Sequence, residues 1–354
     1  MVKKLAFSLL IVLLVIGALR ALNAAFVDFV TGNGLWVPLP LTKAFVLMAG
    51  ALATWFASAR LGREVRAPLL AAMFFSLVAA GYMIHLATPS APRFGAAEAM
   101  RPGSFQETYP ARGKHTYHVN AIGFRGPMWD TAKAPNTVRG VVIGDSMVFG
   151  SGVDDGDTID AALANRLRRA QAPTAVEILN LGVPGSNLPN YVQLYRAAEE
   201  RLAPDFVVLF LLLPNDVGEL EQPSEEQRLG FYSFFKFLLA EQQNPYTSWA
   251  MRRAQTRSEE SKLAFLAHHM QAIEQIRRSP LFIFFYWQEP AWIDTVRAHL
   301  GTGAWIVEHP PLPEGDFIPG DGHPTADGNR HIAEMIGDAI DHSPAASLLV
   351  GRKP

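Results

Sequence analysis

The residues of this chain best suited to chemistry stand in four short segments. Gly144-Asp145-Ser146 closes the run Val138-Arg139-Gly140-Val141-Val142-Ile143, so a serine hydroxyl falls where a buried strand turns into a loop. Open α/β sheets build their active sites at such strand ends. Asn180-Leu181-Gly182-Val183-Pro184-Gly185, Pro214-Asn215-Asp216 and Asp321-Gly322-His323-Pro324 follow. A hydroxyl is a poor nucleophile at neutral pH and requires a base to take its proton as it attacks an ester carbonyl. His323 is the candidate base, because an imidazole is largely neutral at pH 7 and can accept. Attack creates an oxyanion, and fixed donors must be waiting for it.

Together the four segments resemble the SGNH (GDSL-type) hydrolase family, whose sequence blocks supply a serine, a glycine, an asparagine and a histidine. The resemblance covers roughly residues 138–340 and implies a flavodoxin-like, three-layer α/β sandwich around a central parallel sheet. Carried over residue by residue, it makes Ser146 the nucleophile and His323 the base. It makes an oxyanion hole of the Ser146 and Gly185 backbone N–H groups and the Asn215 side-chain amide. Gly182 competes with Gly185, and the family spacing from Asn180 favours Gly185. Asp321 is expected to orient His323 through its other ring nitrogen. Here the chain departs from the commonest family pattern, in which the aspartate lies three residues before the histidine rather than two, and Asp316 is the other candidate. Asp145 and Asp216 belong to the motifs but read as structural, holding loops through backbone N–H groups.

Bulk properties narrow the chemistry further. The 354 residues suffice for one sizeable domain plus additions. A formal net charge of −2 gives no reason to expect a nucleic-acid partner. The absence of cysteine excludes disulfides, thiolate metal sites and a cysteine nucleophile. His268-His269 point to different faces of a helix, with no carboxylate at ligand spacing, and read as solvated residues rather than metal ligands. The Gly144–Ser151 stretch lacks the lysine of a phosphate loop. Neither a cofactor nor a metal is expected.

The elements that must position these residues follow a membrane region. Residues 5–19, extending less cleanly to residue 30, and residues 41–59 and 67–87 are nearly all apolar. A bilayer core of about 30 Å takes roughly 20 helical residues, so about three transmembrane helices are expected over residues 1–88. A cleaved signal peptide after Lys3 and Lys4 is the alternative for the first stretch, although no convincing small-x-small site precedes Phe26. Lys3, Lys4, Arg60, Arg63 and Arg66 flank the spans on one side, whereas the loop at residues 31–40 has no lysine or arginine. The amino terminus and second loop are therefore expected in the cytoplasm, and everything after Thr88 outside the cell membrane.

Residues 89–137, rich in Pro, Gly and Arg, read as a lead-in that wraps the domain. Within them, His118-Val119-Asn120-Ala121-Ile122-Gly123-Phe124-Arg125 resembles an upstream segment of membrane-anchored SGNH proteins. It reads either as a wall of the substrate cleft or as a short edge strand closing the sheet. From residue 138 to 342, apolar runs alternate with helical patterns, the signature of a parallel sheet covered on both faces. Strands are expected at 138–143, 176–180, 206–212, 281–286 and 304–307, with helices at 159–170, from 188 to 202 and across 332–340. Residues 217–260 read as an insertion. Its aromatic centre, 231–239, suits a lid or acyl-chain pocket, a helix at the membrane interface, or a helix packed on the domain itself. The tail, 343–354, is expected to be loose.

The resemblance implies a serine esterase acting on O-acyl groups, and together with the expected extracytoplasmic location it implies O-acetyl groups of envelope or exported polysaccharide as the substrate. The expected partners are an acylated carbohydrate or other ester and the lipid bilayer. The same triad could instead pass an acyl group to a sugar hydroxyl, and a non-catalytic envelope scaffold is a further alternative that an intact constellation argues against.

Overall fold

The computed structural model describes residues 93–100, 102–109, 113–170, 175–217 and 258–349, together with Gly50. The chain divides into two units, Met1–Ser90 with Gln222–Pro245 and Ala91–Glu221 with Tyr246–Pro354, and every element below belongs to the second. Apart from Gly50, the three expected membrane spans lie outside the described residues, as does the aromatic segment at 231–239. No helix among the described residues is long and apolar enough to cross a membrane.

Two antiparallel hairpins come first: β1 (Arg93–Phe94) with β2 (Ala97–Glu98), and β3 (Gly103–Tyr109) with β4 (Gly113–Val119). The lead-in is thus more regular than its composition suggests. It also contradicts the edge-strand reading of His118, because β4 pairs with β3 in a sheet of its own. The reason lies in the next residues. Asn120 Oδ1 accepts from the Ile122 and Phe124 amides, turning the chain away before it can extend along the central sheet.

That central sheet contains β5 (Thr137–Gly144), β6 (Ala175–Gly182), β7 (Phe206–Leu211), β8 (Leu281–Phe285) and β9 (Ala304–Val307), all parallel. Their spatial order is β6-β5-β7-β8-β9. This is the flavodoxin-like order: β6 is added on one side of β5 and β7 to β9 on the other, and such sheets open a crevice at the carboxyl ends of the strands where the order reverses. The helices are α1 (Ser146–Phe149), α2 (Ile159–Ala170), α3 (Leu188–Arg201), α4 (Leu213–Asp216), α5 (Glu259–Ile276), α6 (Pro290–His299), α7 (Ala326–Asp341) and α8 (Ala346–Leu349).

The period of two along each strand sorts side chains into two cores. Val141, Ile143, Val207, Leu209, Leu211, Ile283 and Phe285 face α3, α5 and α6, meeting Tyr191, Leu194, Met270 and Trp292. Phe94, Phe124 and Trp129 of the lead-in join the same core. On the other face Val142, Val208, Phe210, Phe282 and Phe284 meet Ile159, Leu163 and Leu167 of α2 and Ile332, Ile336 and Ile340 of α7. The expectation of a loose tail also fails at its start. Ser343 Oγ donates to the Ile340 carbonyl and accepts from the Ala345 amide, Ala345 is buried, and α8 follows.

Candidate active site

Ser146 is the first residue of α1, at the C-terminal end of β5. The turn between them is tight: a Cβ on Gly144 would stand 2.5 Å from Val148 Cγ2. Asp145 caps the helix by accepting from the Met147 amide at 2.9 Å, and Gly150 ends it at φ +83°. The expected structural role of Asp145 is what this bond performs.

The loop before α7 brings the histidine. Ile318 and His323 bond through their backbones at 2.8 Å, the amides of Asp321 and Gly322 donate to the Ile318 carbonyl, and Gly320 and Gly322 adopt φ of +74° and +90°. The Tyr286 hydroxyl, from the end of β8, donates to the Gly322 carbonyl at 2.6 Å. Thr325 then caps α7 through the Gly328 amide. The result is a chain of three groups. His323 Nε2 lies 2.9 Å from Ser146 Oγ, and His323 Nδ1 makes a short contact with Asp321 Oδ1. With Nδ1–H donating to the carboxylate, Nε2 presents its lone pair to the serine proton. The shortened Asp-x-His spacing is accommodated because Asp321 Oδ1 also accepts from the His323 amide at 3.2 Å, a local turn that folds the carboxylate back onto its own histidine.

Asp316 is elsewhere. Its buried carboxylate meets His331 Nδ1 at 2.8 and 2.9 Å, so it serves the start of α7 and not His323. The two candidate glycines also separate. A Cβ on Gly182 would fall 2.2 Å from the Phe149 amide nitrogen, so this glycine lets β6 pass against α1. Gly185 takes φ +77° with nothing within 4 Å of an added Cβ. Its loop is tied beside the nucleophile turn, since the Val183 amide and the Ser186 hydroxyl both donate to the Gly144 carbonyl at 3.1 Å. Asn215 lies in α4, immediately after β7 on the other side of β5, and its side chain falls outside the described residues. Asp216 is fully buried, accepting from the Leu212 amide at 2.6 Å and the Tyr191 hydroxyl at 2.8 Å. Burial, reinforced by the nearby Asp145 charge, pushes its carboxyl well above the usual range.

The histidine pair at 268–269 sits on α5. His268 is exposed, but His269 is half-buried, its ring 4.3 Å from Phe265, which corrects the expectation that both are solvated. Burial lowers its pKa. Tyr286, which holds the histidine loop, carries no motif and was not legible in the sequence. Beside it Trp287 is 51% exposed at the strand end.

No family model matches the sequence, and no curated protein matches it. Several solved structures do resemble the fold. A lipase/acylhydrolase from Enterococcus faecalis is 13% identical, with 61% of this chain and all of that chain covered at a TM-score of 0.40. TesA is 16% identical, with 57% and 97% covered at 0.37, and a family 3 carbohydrate esterase from Clostridium thermocellum is 16% identical, with 60% and 99% covered at 0.36.

Proposed function

We propose that this chain is a serine hydrolase of O-acyl esters, membrane-anchored through its amino-terminal region, with its catalytic domain outside the cytoplasm. The observation that carries the reading is the continuous contact from Ser146 Oγ through His323 to Asp321. Ser146 attacks the ester carbonyl while His323 Nε2 takes its proton, and Asp321 stabilises the imidazolium. The backbone N–H groups of Ser146 and Gly185 and the Asn215 amide receive the oxyanion. His323 then hands its proton to the departing alcohol, and water, activated by the same base, releases the acid.

The basic residues flanking the apolar stretches support the orientation, and that orientation supports O-acetylated envelope or exported carbohydrate as substrate. The test is incubation of the purified full-length chain with a short-chain aryl ester and with an O-acetylated oligosaccharide, with and without an unacylated sugar acceptor. Free acid is the expected product in every arm, and none with Ser146→Ala. Acyl groups recovered on the acceptor would replace hydrolysis by transfer, and a fully active Ser146→Ala would end the serine mechanism.

A further inference from the structure

The nucleophile stands on a helix of four residues, far below the length at which a helix holds itself together in water. Its rigidity must come from side chains that occupy its backbone groups. Asp145 supplies the amino-terminal cap, and Asn180 Nδ2 donates to the Val148 carbonyl at 2.7 Å. The carbonyl of its last residue, and two in the turn that follows, are held by a residue from the lead-in. Arg125 is 3% exposed; its Nη1 donates to the Phe149 carbonyl at 2.9 Å and makes a shorter contact with the Gly150 carbonyl, and its Nη2 donates to the Val153 carbonyl at 2.6 Å. Its Nε donates to Asp155 at 2.8 Å, and the other oxygen of Asp155 meets His118 on β4.

The guanidinium is itself clamped. It lies 4.4 Å from the centre of the Tyr117 ring and 5.2 Å from that of Phe149, and the Tyr117 hydroxyl accepts from the Gly152 amide at 2.8 Å. Gly150 leaves it room, since a Cβ there would stand 2.9 Å from Arg125 Nη1. A planar fork with donors at fixed angles can span three carbonyls and a carboxylate at once; a lysine ammonium cannot.

We propose that Arg125 is a positioning residue for the Ser146 nucleophile: it fixes the far end of the one-turn helix so that Ser146 Oγ stays in line with His323. This rests on the hydrolase reading for its consequence in rate, but the bracing itself does not. Misplacement of a reacting atom by about 1 Å costs on the order of 100-fold in rate, so the expected deficit falls in kcat, with KM little changed.

The experiment uses the full-length chain and the variants Arg125→Lys and Arg125→Ala, with Asp155→Asn as a milder variant that keeps the guanidinium and an acceptor for its Nε but removes the carboxylate charge. Two readouts are taken, amide hydrogen exchange over residues 146–153 and the kcat and KM of ester hydrolysis. Faster exchange confined to 146–153, a kcat lowered about 100-fold in Arg125→Lys and partial recovery of Arg125→Ala by added methylguanidinium are expected. Asp155→Asn should show the same pattern more weakly, which keeps the proposal testable should both Arg125 variants fail to fold. Unchanged exchange over 146–153 in folded variants would overturn the bracing, whether or not the chain proves to be an esterase. Faster exchange with unchanged kcat would overturn the positioning role, and a wild-type chain inert toward esters would instead count against the hydrolase reading alone.

Discussion

At the scale of single residues, the third member of the triad is set by which carboxylate serves His323. Asp321 touches the histidine and Asp316 is committed to His331, so the two aspartates should behave differently on mutation. Asp321→Asn should leave the fold intact and lower kcat steeply, by about 10⁴-fold if the wrong tautomer is as damaging as in the best-studied triad. Asp316→Asn should lower the melting temperature and affect kcat far less. Parallel melts and ester kinetics check both, and the reverse pattern would move the third member of the triad to Asp316. Asn215→Ala should remove one oxyanion donor, costing about 2.7–4 kcal/mol of transition-state stabilisation, or roughly 100- to 1000-fold in kcat, in a folded protein. Ser146, His323, Asp321, Gly185 and Asn215 could be singled out because the segments that hold them resemble the family's sequence blocks; the structure brings Ser146, His323 and Asp321 into contact, and the oxyanion roles of Gly185 and Asn215 are proposed. Arg125 and Tyr286 could not be assigned their parts. Apart from Asp155 beside Arg125, their hydrogen-bond partners are backbone carbonyls, among them Phe149 and Val153 for one and Gly322 for the other, and a carbonyl leaves no mark in sequence.

At the scale of elements, β5 and β6 position the site by closeness. Gly144 pairs with Gly182, and the Gly182 backbone lies against Phe149. Gly182→Ala should therefore destabilise at or above the upper end of the about 1–3 kcal/mol typical of overpacking, because the clash is with backbone. Gly185→Ala meets no neighbour but must hold a left-handed φ, at about 1–2 kcal/mol, and should be read more in activity than in melting. Asp216 sets a pH dependence. Burial raises its pKa in the folded state, so the folded protein holds that proton more tightly than the unfolded chain. The term favours the folded state in acid and is lost as pH rises through the folded pKa. Asp216→Asn should flatten that fall, its amide donating to Tyr191 and its oxygen accepting from Leu212; an unaltered slope of unfolding free energy against pH would contradict the burial argument. The strands were legible because buried parallel strands are continuous apolar runs, and the observed ends differ from those expected by two residues or fewer. The hairpins of the lead-in were not: β3 and β4 mix polar, charged and aromatic residues with no clear alternation of apolar and polar side chains.

At the scale of the whole molecule, the sheet order brings distant segments to the carboxyl ends of the strands, with β5 carrying the serine between β6 and β7 and the histidine loop tied to the end of β8 through Tyr286. The positively charged second loop should keep residues 60–66 in the cytoplasm and the catalytic domain outside. Reporter fusions after Thr88 and within that loop check this, and a fusion after Thr88 active only in the cytoplasm would overturn both the orientation and the envelope substrate. The central claim is that Ser146 is a nucleophile activated by His323, and the most direct measurement is covalent labelling of the full-length chain by a fluorophosphonate, mapped by peptide mass. The account predicts one adduct on Ser146, absent from Ser146→Ala and strongly slowed in His323→Ala because the hydroxyl then keeps its proton. An adduct on another residue, or labelling of His323→Ala at the wild-type rate, would contradict it.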